Sequence, residues 1–169
     1  MALRHVVVEG DEILRKKCRE VGTVTDRTRM ILSDMLETML ASNGVGIAAP
    51  QVGIMRRMFV AMPDPDQPED IYYMIDPEIY EEEGSQTGEE GCLSVPGLVG
   101  TVERPERIRI KAKDLNGDMQ DYEFTDFGAR VMCHEYDHLN GILYTDKATD
   151  VHEPVYEDED AEEETEEEE

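Results

Sequence analysis

Apolar residues recur along this chain with two different periods, and the change of period marks its elements. Ile31, Leu32, Met35, Leu36, Met39 and Leu40 fall three and four apart, which gathers them on one face of an amphipathic helix. Thr25 precedes the run as an N-cap, with Thr28 and Met30 in the first turns, and Asn43-Gly44 ends it. Upstream, Val6, Val7 and Val8 predict the start of a strand, and Asp11 to Lys17 one helical turn. Met58–Met62 and Ile71–Ile75 are short apolar runs separated by the turn-rich stretch Pro63–Glu69, and both predict strands. Ile108, Ile110 and Ala112 alternate with Arg109, Lys111 and Lys113, the period of a half-buried strand. Asn116-Gly117 then signals a hairpin, with Met119–Phe124 as the return strand. A second helix is expected from a cap at Asp126 to about Asn140, with Gly141 suited to its C-terminus. The order of helix, strands, hairpin and helix contains no alternating βαβ units, so the pattern predicts an α+β fold with mostly antiparallel sheets.

Charge changes this picture at one end only. The 169 residues hold 16 Lys and Arg against 41 Asp and Glu, a net charge of −25. Glu157–Glu169 carries 11 acids and no base, leaving −14 on the first 156 residues. Those residues are about 45% apolar, within the range of globular domains. The sequence therefore divides into one domain, 1–152, and an acidic tail, 153–169, too poor in apolar residues to offset the entropy of ordering itself. The tail is expected to be disordered and dispensable for chemistry, with docking onto Arg107, Arg109 and Lys111 as the less favoured alternative. The overall sign of charge opposes nonspecific binding to nucleic acid or anionic lipid. No apolar run approaches a membrane span, and Met1–Gly10 lacks a signal-like segment. Three cysteines do not make a disulfide scaffold, so a reducing, cytoplasmic setting is expected.

Chemistry concentrates in three segments. His134-Glu135-Tyr136-Asp137-His138 lies within the second predicted helix. Four residues turn a helix by about 400°, so both imidazoles share a face and can reach one metal ion. Glu135, rotated by about 100°, can instead take a proton from a water at that metal. Two histidines on a solvated face are the plainer alternative. A catalytic metal needs a third protein ligand, and Cys92 in Glu90-Gly91-Cys92-Leu93-Ser94 is a candidate, although free cysteines are often inert core thiols. Cys18 and Cys133 are assigned that inert fate, and His5 and His152 are read as surface residues. Gly44-Val45-Gly46-Ile47-Ala48-Ala49-Pro50-Gln51 forms a small-residue loop that backbone or ligand can approach closely, and Gln51 brings an amide that can polarise a carbonyl. Tight helix-to-sheet packing would explain the same loop.

In order and spacing these three segments resemble the signature motifs of peptide deformylase. The resemblance extends to Val95-Pro96-Gly97, Arg104, Gly128-Ala129-Arg130-Val131 and Leu139-Asn140-Gly141, and covers about Leu14 to Lys147. It implies antiparallel sheets packed around a central helix that carries the metal motif, with 1–152 as the catalytic domain. It implies that Cys92, His134 and His138 bind one divalent metal, Fe²⁺ in most members, with Zn²⁺, Ni²⁺ or Co²⁺ as alternatives. Glu135 would be general base and then acid. Gln51 and the Leu93 N–H would hold the oxyanion. Backbone near Val45, Gly46 and Gly91 would pair with an extended peptide. The implied reaction removes the formyl group from formyl-methionyl nascent polypeptides and releases formate, with the ribosome as a transient partner and no membrane or specific nucleic acid. Arg104 and Glu90 are expected to form an ion pair that fixes the Cys92 loop. Two other readings remain open at this point. One is a zinc metallopeptidase of the other HExxH type, with its third ligand downstream. The other is a non-catalytic acidic module with a structural metal.

Overall fold

Two helices and eight strands form among residues 2–155, which the computed structural model describes. The acidic run Glu157–Glu169 lies outside those residues. Helix α1, Asp26–Ala41, starts where the sequence places it. Thr28 N–H donates to Thr25 Oγ1 and Thr25 N–H to Thr28 Oγ1, a reciprocal cap. Its buried face is Ile31, Leu32, Met35 and Met39, while Met30 and Leu40 fall outside it and are exposed.

The strands are β1 (Gly46–Ala48), β2 (Met58–Ala61), β3 (Tyr72–Glu83), β4 (Gln86–Cys92), β5 (Val95–Arg104), β6 (Arg107–Lys113), β7 (Met119–Thr125) and β8 (Thr149–His152). They form a five-stranded sheet in the order β1-β2-β3-β6-β7 and a three-stranded sheet in the order β4-β5-β8. All strand pairs are antiparallel. The Asn116-Gly117 hairpin joins β6 to β7, with Gly117 at φ +82° in the left-handed region the turn requires. Helix α2, Asp126–Leu139, packs against β1, β2, β6 and β7 of one sheet and β5 of the other. Ala129, Met132, Cys133 and Leu139 of α2 join Phe59, Met74, Ile108 and Phe124 in one core cluster, and α1 builds a second with Ile47, Met58, Val60 and Ile75. Among the described residues no helix is long and apolar enough to cross a membrane.

Three expectations are corrected. Val6–Val8 is not a strand. Its segment crosses two others, with Val7 N–H donating to Gln51 O and Glu9 N–H to Ser94 O, both at 2.7 Å. Asp126 does not cap α2 but is its first residue, at φ +53°, after Thr125 as N-cap. Finally, β3 runs far beyond Ile75 into an acidic stretch with poor strand propensity. Opposite charge across the ladder compensates, since Glu78, Glu81 and Glu83 pair in register with Lys111, Arg109 and Arg107. Arg107 is thereby held by Glu81, Glu83 and Glu123 together.

Candidate active site

The second helix brings both histidines to one face, as their spacing requires, with ring centroids 5.1 Å apart. Cys92 is the last residue of β4, where the hairpin into β5 closes tightly with Cys92 opposite Val95. That turn carries the thiol to α2, with Sγ 3.3 Å from His138 Nε2. Cys92, His134 and His138 each offer a ligand atom, and these atoms lie within 4.8 Å of one another. They form the one such group of His, Cys and carboxylate side chains among the described residues, so none of the described downstream acids joins the histidines.

Glu90 holds the His134 ring in place. Its Oε1 is 2.8 Å from His134 Nδ1. Burial works to raise the Glu90 carboxyl, but hydrogen bonds from His134 and Arg104 overcome it and hold the pKa at about 2. An ionised carboxylate only accepts, so Nδ1 carries a proton. Burial works against it, but hydrogen bonds with Cys92 and Glu90 push the His134 imidazole up to about 10, and a metal would take the place of the second proton, on Nε2. The expected ion pair with Arg104 is present and bidentate, at 2.9 Å for both contacts. Arg104 also donates to Asp137 Oδ2, and Arg130 to Glu90 Oε2. These charges are buried, where removing one partner from such a network costs about 3–5 kcal/mol. The sequence reading missed Arg130 and Asp137 as parts of this frame. The signal available was a charged residue at buried helical positions beside the histidines.

Burial pushes the Glu135 carboxyl up to about 7, against the opposing pull of His134. Its Oε2 and His138 Nδ1 are buried without a hydrogen-bond partner among the described residues. Burial keeps His138 well below the usual imidazole range, hence neutral. A cysteine sulfur, two imidazole nitrogens and surplus polar capacity fit a divalent metal with an open position. The cleft above has a volume of about 640 Å³ and is lined by Val45, Gly46, Gln51, Gly91, Cys92, Leu93, His134 and Glu135. The structure thus brings together eight of the nine residues singled out in the sequence, and His138 sits behind them, 1% exposed. Gly46 is there for space. A Cβ on it would lie 2.6 Å from Glu135 Oε1 and 2.8 Å from Glu135 Cδ. Gln51 is anchored at both ends, accepting from Ala48 N–H at 2.9 Å and donating to Ser94 Oγ at 3.0 Å. Its contact with Cys92 Sγ, at 3.5 Å, is the weaker.

Cys18 and Cys133 are buried thiols, raised by burial to about 11 and 12. His5 is exposed, but His152 has partners the sequence did not show, Asp150 O at 2.6 Å and Glu89 Oε2 at 3.9 Å.

Comparison with known proteins agrees with this geometry. Residues 3–154 match the family described as polypeptide deformylase. A peptide deformylase of Agathobacter rectalis is 50% identical over 161 residues, covering 94% of this chain and 98% of that protein. A crystal structure of peptide deformylase from Thermotoga maritima superposes with a TM-score of 0.84 at 37% identity, over 88% of this chain and 99% of that one. A Met-Ala-Ser-bound peptide deformylase from Acinetobacter baumannii gives 0.81 at 38% identity, over 86% and 98%.

Proposed function

We infer the reaction from the family: the chain belongs to the polypeptide deformylases and is a peptide deformylase, a hydrolase of protein biosynthesis that acts on nascent formyl-methionyl polypeptides. Residues 1–152 are its catalytic domain, with α2 as the central helix between strands of both sheets. Cys92, His134 and His138 would hold one divalent metal, which would supply Lewis acidity and a water of lowered pKa. Fe²⁺ is the assignment by family resemblance, and the same sulfur and nitrogen set accepts Zn²⁺, Ni²⁺ or Co²⁺.

An extended peptide lies in the cleft with its backbone against Val45, Gly46 and Gly91. The Met-Ala-Ser complex of the Acinetobacter baumannii relative supports a tripeptide-sized occupant. Glu135 takes a proton from the attacking water onto a carboxylate oxygen, a task matched to a carboxyl raised toward neutrality. As the formyl carbon is attacked, charge develops on its oxygen. Gln51 Nε2, releasing its weak contact with sulfur, and the Leu93 N–H face that charge. Glu135 then delivers its proton to the departing nitrogen, giving formate and a free amine. The observation that carries this reading is the meeting of three ligand atoms within 4.8 Å beside a buried carboxylate that lines an open cleft. The substrate places the enzyme in the cytoplasm, in transient contact with the ribosome and with no role for specific nucleic acid or membrane. The test is formate release from formyl-Met-Ala-Ser, run anaerobically with Fe²⁺ or Ni²⁺ supplied. Absence of formate from folded, metal-loaded protein would overturn the reading, and cleavage of the Met-Ala bond would replace it with a peptidase.

A further inference from the structure

We propose that residues 2–9 are a strap that sets the distance between the two loops carrying Gln51 and Cys92, making Glu9, Val7 and their remote anchor Asp34 positioning residues for the reaction. The proposal rests on the roles given above to Gln51 and Cys92. In an extended chain, N–H groups two residues apart point the same way. Here they reach different segments, Val7 to Gln51 O and Glu9 to Ser94 O. One short stretch therefore stitches together two backbones that are distant in sequence and meet at the cleft. Gln51 Nε2 repeats the connection from the other side through Ser94 Oγ.

The side chains of the strap alternate in the same sense. Val6 packs against the α1 cluster of Met35, Met39 and Ile47. Val7 packs against Leu14, Val95, Val102 and Tyr144, the cluster under the three-stranded sheet. The strap thus spans the join between the two halves of the molecule. Its far end is pinned to α1. Ala2 N–H donates to Asp34 Oδ1 at 2.9 Å, Arg4 Nε to Asp34 Oδ2 at 3.1 Å, and Arg4 N–H to Thr38 Oγ1 at 2.9 Å. Asp34 is 5% exposed, an expensive place for a carboxylate unless it is used in this way. Displacement of catalytic groups by about 1 Å can cost as much as 10²-fold in rate, so a device that fixes two loops against each other has a kinetic effect beyond its contribution to stability.

The discriminating variant is Glu9→Pro, which removes the N–H that reaches Ser94 O while the exposed side chain is controlled by Glu9→Gln. Val8→Pro is the backbone control, because the Val8 N–H makes no hydrogen bond among the described residues. Each is purified with cobalt in the site, and kcat, KM, the visible ligand-field spectrum and the unfolding midpoint are measured. Glu9→Pro is expected to lose about tenfold in kcat with KM within about twofold, and to shift the cobalt bands, while both controls match the unsubstituted enzyme. Should Glu9→Pro not fold, Asp34→Ala gives the same reading from the far anchor, with partial rescue by Asp34→Asn. Unchanged kcat and spectrum in the folded variant, or a loss no larger than the fall in folded fraction, overturns the proposal. The spectrum reports on the strap whether or not formate is released, so failure of the deformylase reading is a separate result.

Discussion

Glu135 combines two properties that rarely coincide, near-complete burial and an oxygen without a partner among the described residues. Glu135→Gln preserves shape and removes the capacity to carry a proton. It is expected to retain metal and fold and to lose about 10²–10⁴-fold in turnover. Turnover within a factor of two at equal metal content would remove the assigned role. Tyr144 presents the opposite case. Its ring stacks on His134 at 6.0 Å between centroids, while its hydroxyl is buried and has no hydrogen-bond partner among the described residues. An unpaired buried hydroxyl costs about 1–3 kcal/mol, so Tyr144→Phe should leave stability unchanged or raise it, with activity retained. A fall in the unfolding midpoint would show that the hydroxyl has a partner after all.

At the scale of elements, the site is made where a helix, a hairpin and a glycine-bearing strand converge. Gly46 of β1 leaves the space that Glu135 of α2 occupies. Gly46→Ala should therefore push the carboxylate aside and reduce kcat by about 10²-fold with little change in the unfolding midpoint. Near-normal kcat would mean that the carboxylate finds another productive position. How much of this was legible depends on how local the cause is. The Thr25 cap, the Asn116-Gly117 turn and the pairing of His134 with His138 are set by neighbours a few residues apart, and the chain pattern shows them. The long β3 was hidden because its acidic residues are stabilised by Arg107, Arg109 and Lys111 across the ladder, a cause invisible within the segment itself. Strands β4 and β5 were equally hidden, since glycines and charges there serve the cleft and the Glu90–Arg104 frame instead of an apolar alternation. The nine candidate site residues follow from motifs, but what orients them, notably Glu90 on His134 and Arg130 on Glu90, is a matter of tertiary contact.

The whole molecule is closed by contacts between its first and last thirds. Within the first third, Asp34 ties the N-terminal strap to α1, and the Ala2 N–H above all, then Arg4, hold its carboxyl below the usual range against the effect of burial. A carboxyl depressed in the folded state contributes stability that is present above its unfolded pKa, about 4, and is lost as pH falls through the folded value. Asp34→Asn should therefore lower stability at neutral pH and flatten its decline in the acid range below pH 4, read from unfolding midpoints across that range. An equally steep decline would exclude Asp34 as a source of the acid sensitivity. The same closure has a consequence in time. Arg15 meets Asp146, 131 positions later, and Cys18 N–H bonds Leu139 O. At synthesis rates of roughly 5–20 residues per second, the early segment waits on the order of 10 s for the residues that fasten it. His138 is among the late arrivals, so a half-made chain can form α1 and its neighbouring strands but has no finished cleft. An enzyme whose work is done on unfinished proteins is thus itself silent until its own synthesis is nearly over.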